Sequence, residues 1–359
     1  MLNLVTGATG CLGSNLVRAL LSQGHEVAIL RRPDDSLELL AGVSESLDHR
    51  MGDVLDLDSL RRAMAGVQRV YHLAGVVAAV STSSNRMMEV NVQGAENVAR
   101  AALESGVERL VHTSSTAAIG WPARGQVANE EFEFNGRGEN TYQMSKHLGE
   151  RAVLGLVKEG LDAVVLNPSL VIAPRSKGLA RAFALSKAGR LWAFPSGGIG
   201  VAAARDFIDA EIKAMERGRT GERYIVNTVN LSYRELLTKV AQVVGGQRPR
   251  IRIPNWVMLL VARVDALYIS RVLHDLDKAA TTEQEAAALA RTSYYDQSKA
   301  VRELGIAQSS IDDALRELCD WAEEYDYGYL PPVIETSLRD AAPARIDSLA
   351  LAASEPSGR

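Results

Sequence analysis

The stretch Leu2-Asn3-Leu4-Val5-Thr6-Gly7-Ala8-Thr9-Gly10-Cys11-Leu12-Gly13 decides the fold. Leu2 to Val5 is a short apolar run and reads as a strand. From Leu12 to Gln23 the apolar residues Leu12, Leu16, Ala19 and Leu20 recur at helical spacing, and Gly24 stops the run. Glycines 7, 10 and 13 fill the joint. Gly7 permits a tight turn, Gly10 lets the backbone approach a pyrophosphate, and Gly13 lets helix and strand pack closely. A helix opening here turns free N–H groups and the positive end of its dipole towards phosphate oxygens. Three glycines alone mark many ordinary turns. The strand before and the helix after give the spacing its meaning.

Working outward, the same alternation continues. Glu26 to Leu30 reads as a strand, Ser59 to Ala65 as a helix and Val70 to Leu73 as a strand. Met87 to Ser105 reads as one long helix ending at Gly106, followed by strands at Arg109–His112 and Ala163–Leu166. Continuous apolar strands between helices imply a parallel sheet covered on both faces, a doubly wound α/β domain. Beyond Pro168 the pattern changes. Pro, Gly and Arg punctuate 168–206, a strand follows at Arg223–Val226, and helices are expected at Tyr233–Val244, Pro254–Leu276 and Ile311–Tyr325. The expected organisation is a dinucleotide-binding sheet domain from 1–170 plus 207–228. A smaller, mostly helical substrate lobe takes 171–206 plus 229–335, and 336–359 is an aperiodic tail expected to be disordered.

The chain has 359 residues, 47% hydrophobic, enough for about two domains with their own cores. Lys and Arg number 40 against 44 Asp and Glu, a net charge of −4 that argues against a nucleic-acid partner. Two cysteines, Cys11 and Cys319, make no disulfide framework and fit a reducing compartment. The N-terminus shows no basic and apolar targeting pattern, so a cytoplasmic location is expected. The longest apolar run, Trp256 to Ala262, is far short of the ~20 residues of a membrane span.

The end of the second strand sets ribose preference, because an acid there binds a 2′-hydroxyl and an arginine suits a 2′-phosphate. Here Leu30 is followed by Arg31 and Arg32, with no acid before Asp34, which favours NADP over NAD. The competing reading is a pair of solvated surface arginines. Further on, Tyr142 and Lys146 stand at i and i+4, on one helix face, with Ser114-Ser115 upstream at a strand end. These groups suit proton transfer at a carbonyl or alcohol oxygen during hydride transfer. A tyrosine pKa near ~10 must fall by about 3 units to work at neutral pH, about 4 kcal/mol. A lysine charge ~4 Å away at an effective dielectric of ~20 supplies roughly that. Tyr142 is then the acid/base, Lys146 its activator and a ribose ligand, and Ser115 the donor orienting the substrate oxygen.

Taken together these residues resemble the extended short-chain dehydrogenases/reductases, from residue 1 to about residue 330. That group includes nucleotide-sugar epimerases and dehydratases, 3β-hydroxysteroid dehydrogenases and dihydroflavonol-reductase-like enzymes. The matching pieces are the glycine turn, Gly52-Asp53-Val54, His72-Leu73-Ala74-Gly75, Asn91-Val92-Gln93-Gly94, Thr113-Ser114-Ser115, Tyr142 with Lys146, and Asn167-Pro168-Ser169. The resemblance implies dinucleotide contacts at Gly7, Thr9, Gly10, Cys11, Leu12 and Gly13. It places Asp53 and Val54 at the adenine, and Leu73, Ala74 and Gly75 along the ribose and phosphates. Asn91 supports the active-site helix, and Asn167-Pro168 line the nicotinamide. It also implies a homodimer formed through the Tyr142 helix. Ala173, where many relatives have Gly, and Ala203-Ala204-Arg205-Asp206 depart from the pattern and leave the substrate open.

Other residues carry less. His72 and His112 read as packing histidines, and no cluster has metal-ligand spacing, so no metal is expected. Helix N-termini lower thiol pKa values, but Cys11 reads as a backbone position facing the cofactor, not a nucleophile. The serines lack the glycine-flanked elbow of a hydrolase. Trp256 to Ala262 reads as core of the small lobe, with a pocket wall, a lid or a membrane-touching patch as the alternatives. The expected function is NAD(P)(H)-dependent interconversion of a secondary alcohol and a ketone on a small, hydrophobic or polycyclic substrate. The alternative is a nucleotide-sugar epimerase or dehydratase, for which Arg175, Lys177, Arg181 and Arg190 offer a diphosphate clamp. A non-catalytic NADP sensor would have no use for Ser115, Tyr142 and Lys146.

Overall fold

Seven parallel strands form the main sheet of the computed structural model, which describes residues 1–77, 84–136, 140–268 and 287–324. They are β1 (Leu2–Thr6), β2 (Glu26–Arg31), β3 (Asp48–Met51), β4 (Arg69–His72), β5 (Arg109–Thr113), β6 (Ala163–Pro168) and β10 (Arg223–Val226). Their order is β10-β6-β5-β4-β1-β2-β3. The topology reverses between β1 and β4, and ligands bind at the carboxyl ends of strands flanking such a switch point. β3 is absent from the sequence reading because it is a polar edge strand, Asp48-His49-Arg50-Met51, with no buried residue.

Helices cover both faces. α1 (Cys11–Ser22) and α7 (Ala204–Arg217) bury Leu16, Val17, Leu20, Phe207 and Met215 against Val5, Val111, Val164 and Leu166. On the other face, α2 (Leu57–Ala63), α4 (Ala95–Glu104) and α5 (Thr141–Val157) bury Leu60, Val98, Ala102 and Val153 against Leu4, Val70 and Leu110. The expected helix 87–105 is present and runs without a break from Ser84 to Glu104, with a π turn inside it. α3 (Ser84–Met88) leads through a π turn, Glu89–Gly94, into α4.

The second lobe contains α6 (Lys177–Lys187), α8 (Tyr233–Val243), α9 (Asn255–Tyr268) and α11 (Ile311–Glu324). It also has a four-stranded sheet that the Gly- and Pro-rich sequence concealed. In it β9 (Gly198–Ala203) pairs with β7 (Leu170–Ile172), β11 (Val229–Ser232) and β13 (Thr292–Ser293). A two-stranded ribbon joins β8 (Ala193–Phe194) to β12 (Ile251–Arg252). α8 is started by a capping box between Ser232 and Glu235. The short helix α10 (Ser298–Leu304) returns to the main sheet, where Ala300 and Leu304 join its core.

One expectation is corrected outright. The stretch read as lobe core from Trp256 is not fully buried at its described positions: Trp256 is 68% exposed, Leu260 and Val261 are more than half exposed, and Val257, Met258 and Leu259 are half-buried. The expected tail 336–359 and the helix beyond Tyr268 lie outside the described residues. Among the described residues no helix is long and apolar enough to cross a membrane.

Candidate active site

The glycine turn sits at the carboxyl end of β1, at the switch point. Gly7 has a positive φ of 70°, and a Cβ there would lie 2.6 Å from Ala74 N. A Cβ on Gly13 would lie 2.2 Å from Gly7 O, so only glycine lets α1 start this close to β1. Gly10 N donates to Gly7 O at 3.0 Å, which closes the turn. No side chain caps α1. Its first N–H groups therefore stay available to an anion, and the cradle fits a dinucleotide pyrophosphate.

The segment Leu73-Ala74-Gly75 runs from this turn towards the lysine. Leu73 N bonds Thr6 O, and Ala74 N bonds Thr6 Oγ1, each at 3.2 Å. A Cβ on Gly75 would lie 3.2 Å from both Asn91 Oδ1 and Lys146 Nζ. Asn91, carried by the π turn, holds this segment and α5 together. Its Oδ1 accepts from Val76 N at 2.7 Å, and its Nδ2 donates to Val76 O at 2.8 Å and to Ser145 Oγ at 3.0 Å.

α5 begins at Asn140, whose side chain accepts from Gln143 N at 2.9 Å. That cap sets Tyr142 in the first turn, with Lys146 and Glu150 at successive i+4 positions along the helix. Lys146 Nζ is buried and reaches Thr113 O at 3.4 Å, at the end of β5. Burial lowers its pKa to about 8, against the opposing charge of Glu150. Tyr142 departs from expectation. Burial raises its pKa above the ordinary phenol value, and the opposing influence is the hydrogen bond with Ser115, not the lysine charge. Ser115 is half-buried, its Oγ accepts from Ala117 N at 3.1 Å, and its carbonyl accepts from Asn167 Nδ2 at 3.0 Å.

A buried polar layer lies behind these groups. Glu150 accepts from Asn167 Nδ2 at 2.6 Å and pairs with Arg223 at 3.0 Å. Asn167 is thus turned inwards to Glu150 and Ser115, while Pro168 ends β6 beside it. His72 shares a 2.7 Å hydrogen bond with Thr6 Oγ1 and stacks on His112 at 5.0 Å. Burial first, and then the Lys146 charge, lower the His72 pKa to about 3. His112 is lowered by burial, by His72 and by Lys146. Both rings are therefore neutral spacers under the lysine. The sequence reading missed Glu150, Arg223 and Ser145.

The remaining expected contacts are spread along the strand ends. Val54 is buried against Gly94, and Asp53 Oδ1 accepts from Leu55 N at 2.9 Å. Arg31 Nε donates to His49 Nδ1 at 3.0 Å, while Arg32 pairs with Asp35 at 2.8 Å. Cys11 Sγ contacts Pro174 O at 3.5 Å, and burial pushes its thiol up to about 11 against the pull of Arg175. The helix-dipole lowering is therefore overcome by desolvation. Thr9 and Leu12 lie within the glycine turn and first helical residues. Arg175 donates to Asn15 Oδ1 at 2.9 Å, which joins α1 to the loop before α6.

Comparison with known proteins follows this geometry. The sequence profile of the NAD dependent epimerase/dehydratase family matches residues 3–226. A putative dihydroflavonol 4-reductase of Synechocystis sp. is 32% identical over 332 residues, covering 90% of this chain and 95% of the relative. Sterol demethylase protein B of Methylococcus capsulatus is 32% identical over 329 residues, covering 90% of this chain and 99% of that protein. The crystal structure of gox2253 superposes with a TM-score of 0.78 at 28% identity, covering 91% of this chain and 99% of that one.

Proposed function

The chain belongs to the NAD dependent epimerase/dehydratase family, and from that premise we propose that it interconverts a ketone and a secondary alcohol on a small hydrophobic or polycyclic molecule. The observation that carries the reading is the meeting of Tyr142 with Ser115, whose hydroxyl opposes the burial shift of the phenol, one helical turn from a buried Lys146 and beside the glycine turn. The names of two full-length relatives speak of dihydroflavonol and sterol chemistry, both polycyclic. That supports the substrate class.

Gly7, Thr9, Gly10, Cys11, Leu12 and Gly13 would hold the pyrophosphate, Asp53 and Val54 the adenine, and Leu73, Ala74, Gly75 and Pro168 the rest of the dinucleotide. A bound nicotinamide exchanges the hydride with the substrate carbon. Tyr142 Oη gives its proton to the substrate oxygen on reduction and takes it back on oxidation. Ser115 Oγ holds that oxygen within reach. Lys146, charged at neutral pH with a pKa near 8, would hold the cofactor ribose, and the Ser115 hydroxyl offsets the cost of the tyrosinate that remains. Because burial raises Tyr142, the phenol is a proton donor at rest, which suits reduction. At the end of β2, Arg31 and Arg32, with no acid before Asp34, would favour a 2′-phosphate, hence NADP; Arg32 is held by Asp35, which leaves Arg31 to meet it.

The test uses purified protein, NADPH and a panel of hydrophobic ketones, with consumption of the reduced cofactor as readout. Tyr142→Phe is expected to lower turnover by about 10²–10⁴-fold while dinucleotide affinity stays unchanged. Full activity in that variant removes the mechanism. Conversion of sugar nucleotides without net cofactor consumption replaces the reductase reading. Tighter binding of NADPH than NADH, lost in Arg31→Ala, is expected; equal binding of the two cofactors by the unaltered protein ends the NADP assignment.

A further inference from the structure

We propose that the face made by the β8–β12 ribbon and the start of α9 docks on an anionic lipid bilayer. The inference is independent of the catalytic reading, since none of its residues touches the site above. Trp192, Ile251, Trp256, Leu260 and Val261 are all more than half exposed. The fold brings them together. Arg250 N and Ile251 N donate to Trp192 O at 2.8 and 3.0 Å, and Ile253 N donates to Phe194 O at 2.9 Å. Ser196 Oγ then bonds Asn255 Oδ1, fixing the first turn of α9 to the end of the ribbon.

Arginines gather around these side chains, and Asp265, four residues after Val261, is the first acid along α9. Arg190, Arg248, Arg250 and Arg252 are exposed, and among the described residues none pairs with a carboxylate. No Asp or Glu occurs from Ala188 to Gly200 or from Val244 to Val264, in a chain whose net charge is −4. Positive charge is therefore concentrated on the ribbon and the start of α9. Arg234, Arg248 and Arg250 line a cavity of about 500 Å³ together with Thr238 and Gln247. Guanidinium groups bind phosphate oxygens through paired donors. Tryptophan and aliphatic side chains beside them suit the boundary between headgroups and acyl chains. A second copy of the chain meets this face less well, because a two-fold contact sets the same arginines against each other.

The experiment is co-sedimentation of the full chain with vesicles of phosphatidylcholine, with and without phosphatidylglycerol. Binding is expected only to the anionic vesicles, and high salt should release it. Arg250→Glu combined with Arg252→Glu is expected to abolish binding. Trp256→Ala should weaken it about tenfold, with the melting temperature and turnover of each variant unchanged. Absence of vesicle binding, binding indifferent to lipid charge, or retention in the double arginine variant overturns the proposal. So does a concentration-dependent dimer that Trp256→Ala dissolves, which would assign the face to a second copy.

Discussion

Thr113 Oγ1 donates to Glu211 Oε1 at 2.5 Å across the back of the main sheet, while the carbonyl of the same threonine meets Lys146. Glu211 is fully buried, its Oε2 has no partner, and burial raises its pKa to about 8. It therefore folds as a neutral acid. Between its unfolded value near 4.5 and about 8, the unfolded chain releases a proton that the native state keeps. Stability from this group is whole below that window and is lost as pH rises through it, at up to about 1.4 kcal/mol per pH unit. Glu211→Gln has no proton to lose. Its melting temperature relative to the unaltered protein should rise steadily from pH 5 to pH 8; parallel curves would remove the argument. At this scale the sequence shows what is local. Tyr142 and Lys146 are legible because one helical turn separates them. Glu150, Arg223 and Glu211 are not, nor is the bond from Asn167 to Glu150, because these partnerships span 17, 73 and 98 residues and exist only once β5, β6, β10 and α7 are assembled.

α5 is the element on which the site depends, and one close contact holds it against the π turn. A Cβ on Gly149 would lie 2.0 Å from Asn91 O in the π turn. The close approach lets Asn91 Nδ2 reach Ser145 Oγ, one residue before Lys146. Gly149→Ala forces the helix and the π turn apart. Overpacking of this kind costs about 1–3 kcal/mol, and here it also moves Lys146. A lower melting temperature and a lower turnover are expected together. A variant that melts and turns over like the unaltered protein would show that the contact yields without consequence. Apolar periodicity found the helical stretch 87–105 but not its π turn, since one wider turn leaves the pattern of buried Val90, Ala95 and Val98 looking continuous. Strands β7, β9, β11 and β13 escaped for the opposite reason. β7, β11 and β13 have four residues or fewer, β9 is largely Gly and Ala, and all pair with partners distant in sequence.

Across the whole molecule the chain shuttles between its two sheets. It leaves the main sheet after β6, builds β7 to β9, and returns through α7 and β10. It leaves again for β11 to β13, returns in α10, and ends its described course in α11. Asp206, at the start of α7, accepts from Thr228 Oγ1 at 2.5 Å and from Ser309 N at 2.9 Å, tying three of these passages together. Asn227 Nδ2 donates to Tyr295 O at 2.8 Å, and Tyr295 Oη reaches Gly120 O at 2.9 Å beside the Ser115 loop. The strand Arg223–Val226 was legible as a strand, and it pairs with β6 in the main sheet; the return at α10 was not legible, because Ala300 and Leu304 are too few to announce it. Such interleaving couples the lobes. Phe207, Met215 and Tyr224 complete the core over Val111, Val164 and Leu166, so residues 1–170 alone, with only α1 on that face, leave part of it uncovered. A fragment ending at 170 is expected not to melt cooperatively. The full chain is expected to unfold in one calorimetric transition whose van't Hoff and calorimetric enthalpies agree. Two resolved transitions, or a cooperative melt of the fragment, would show that the lobes fold separately and that the crossings only connect them.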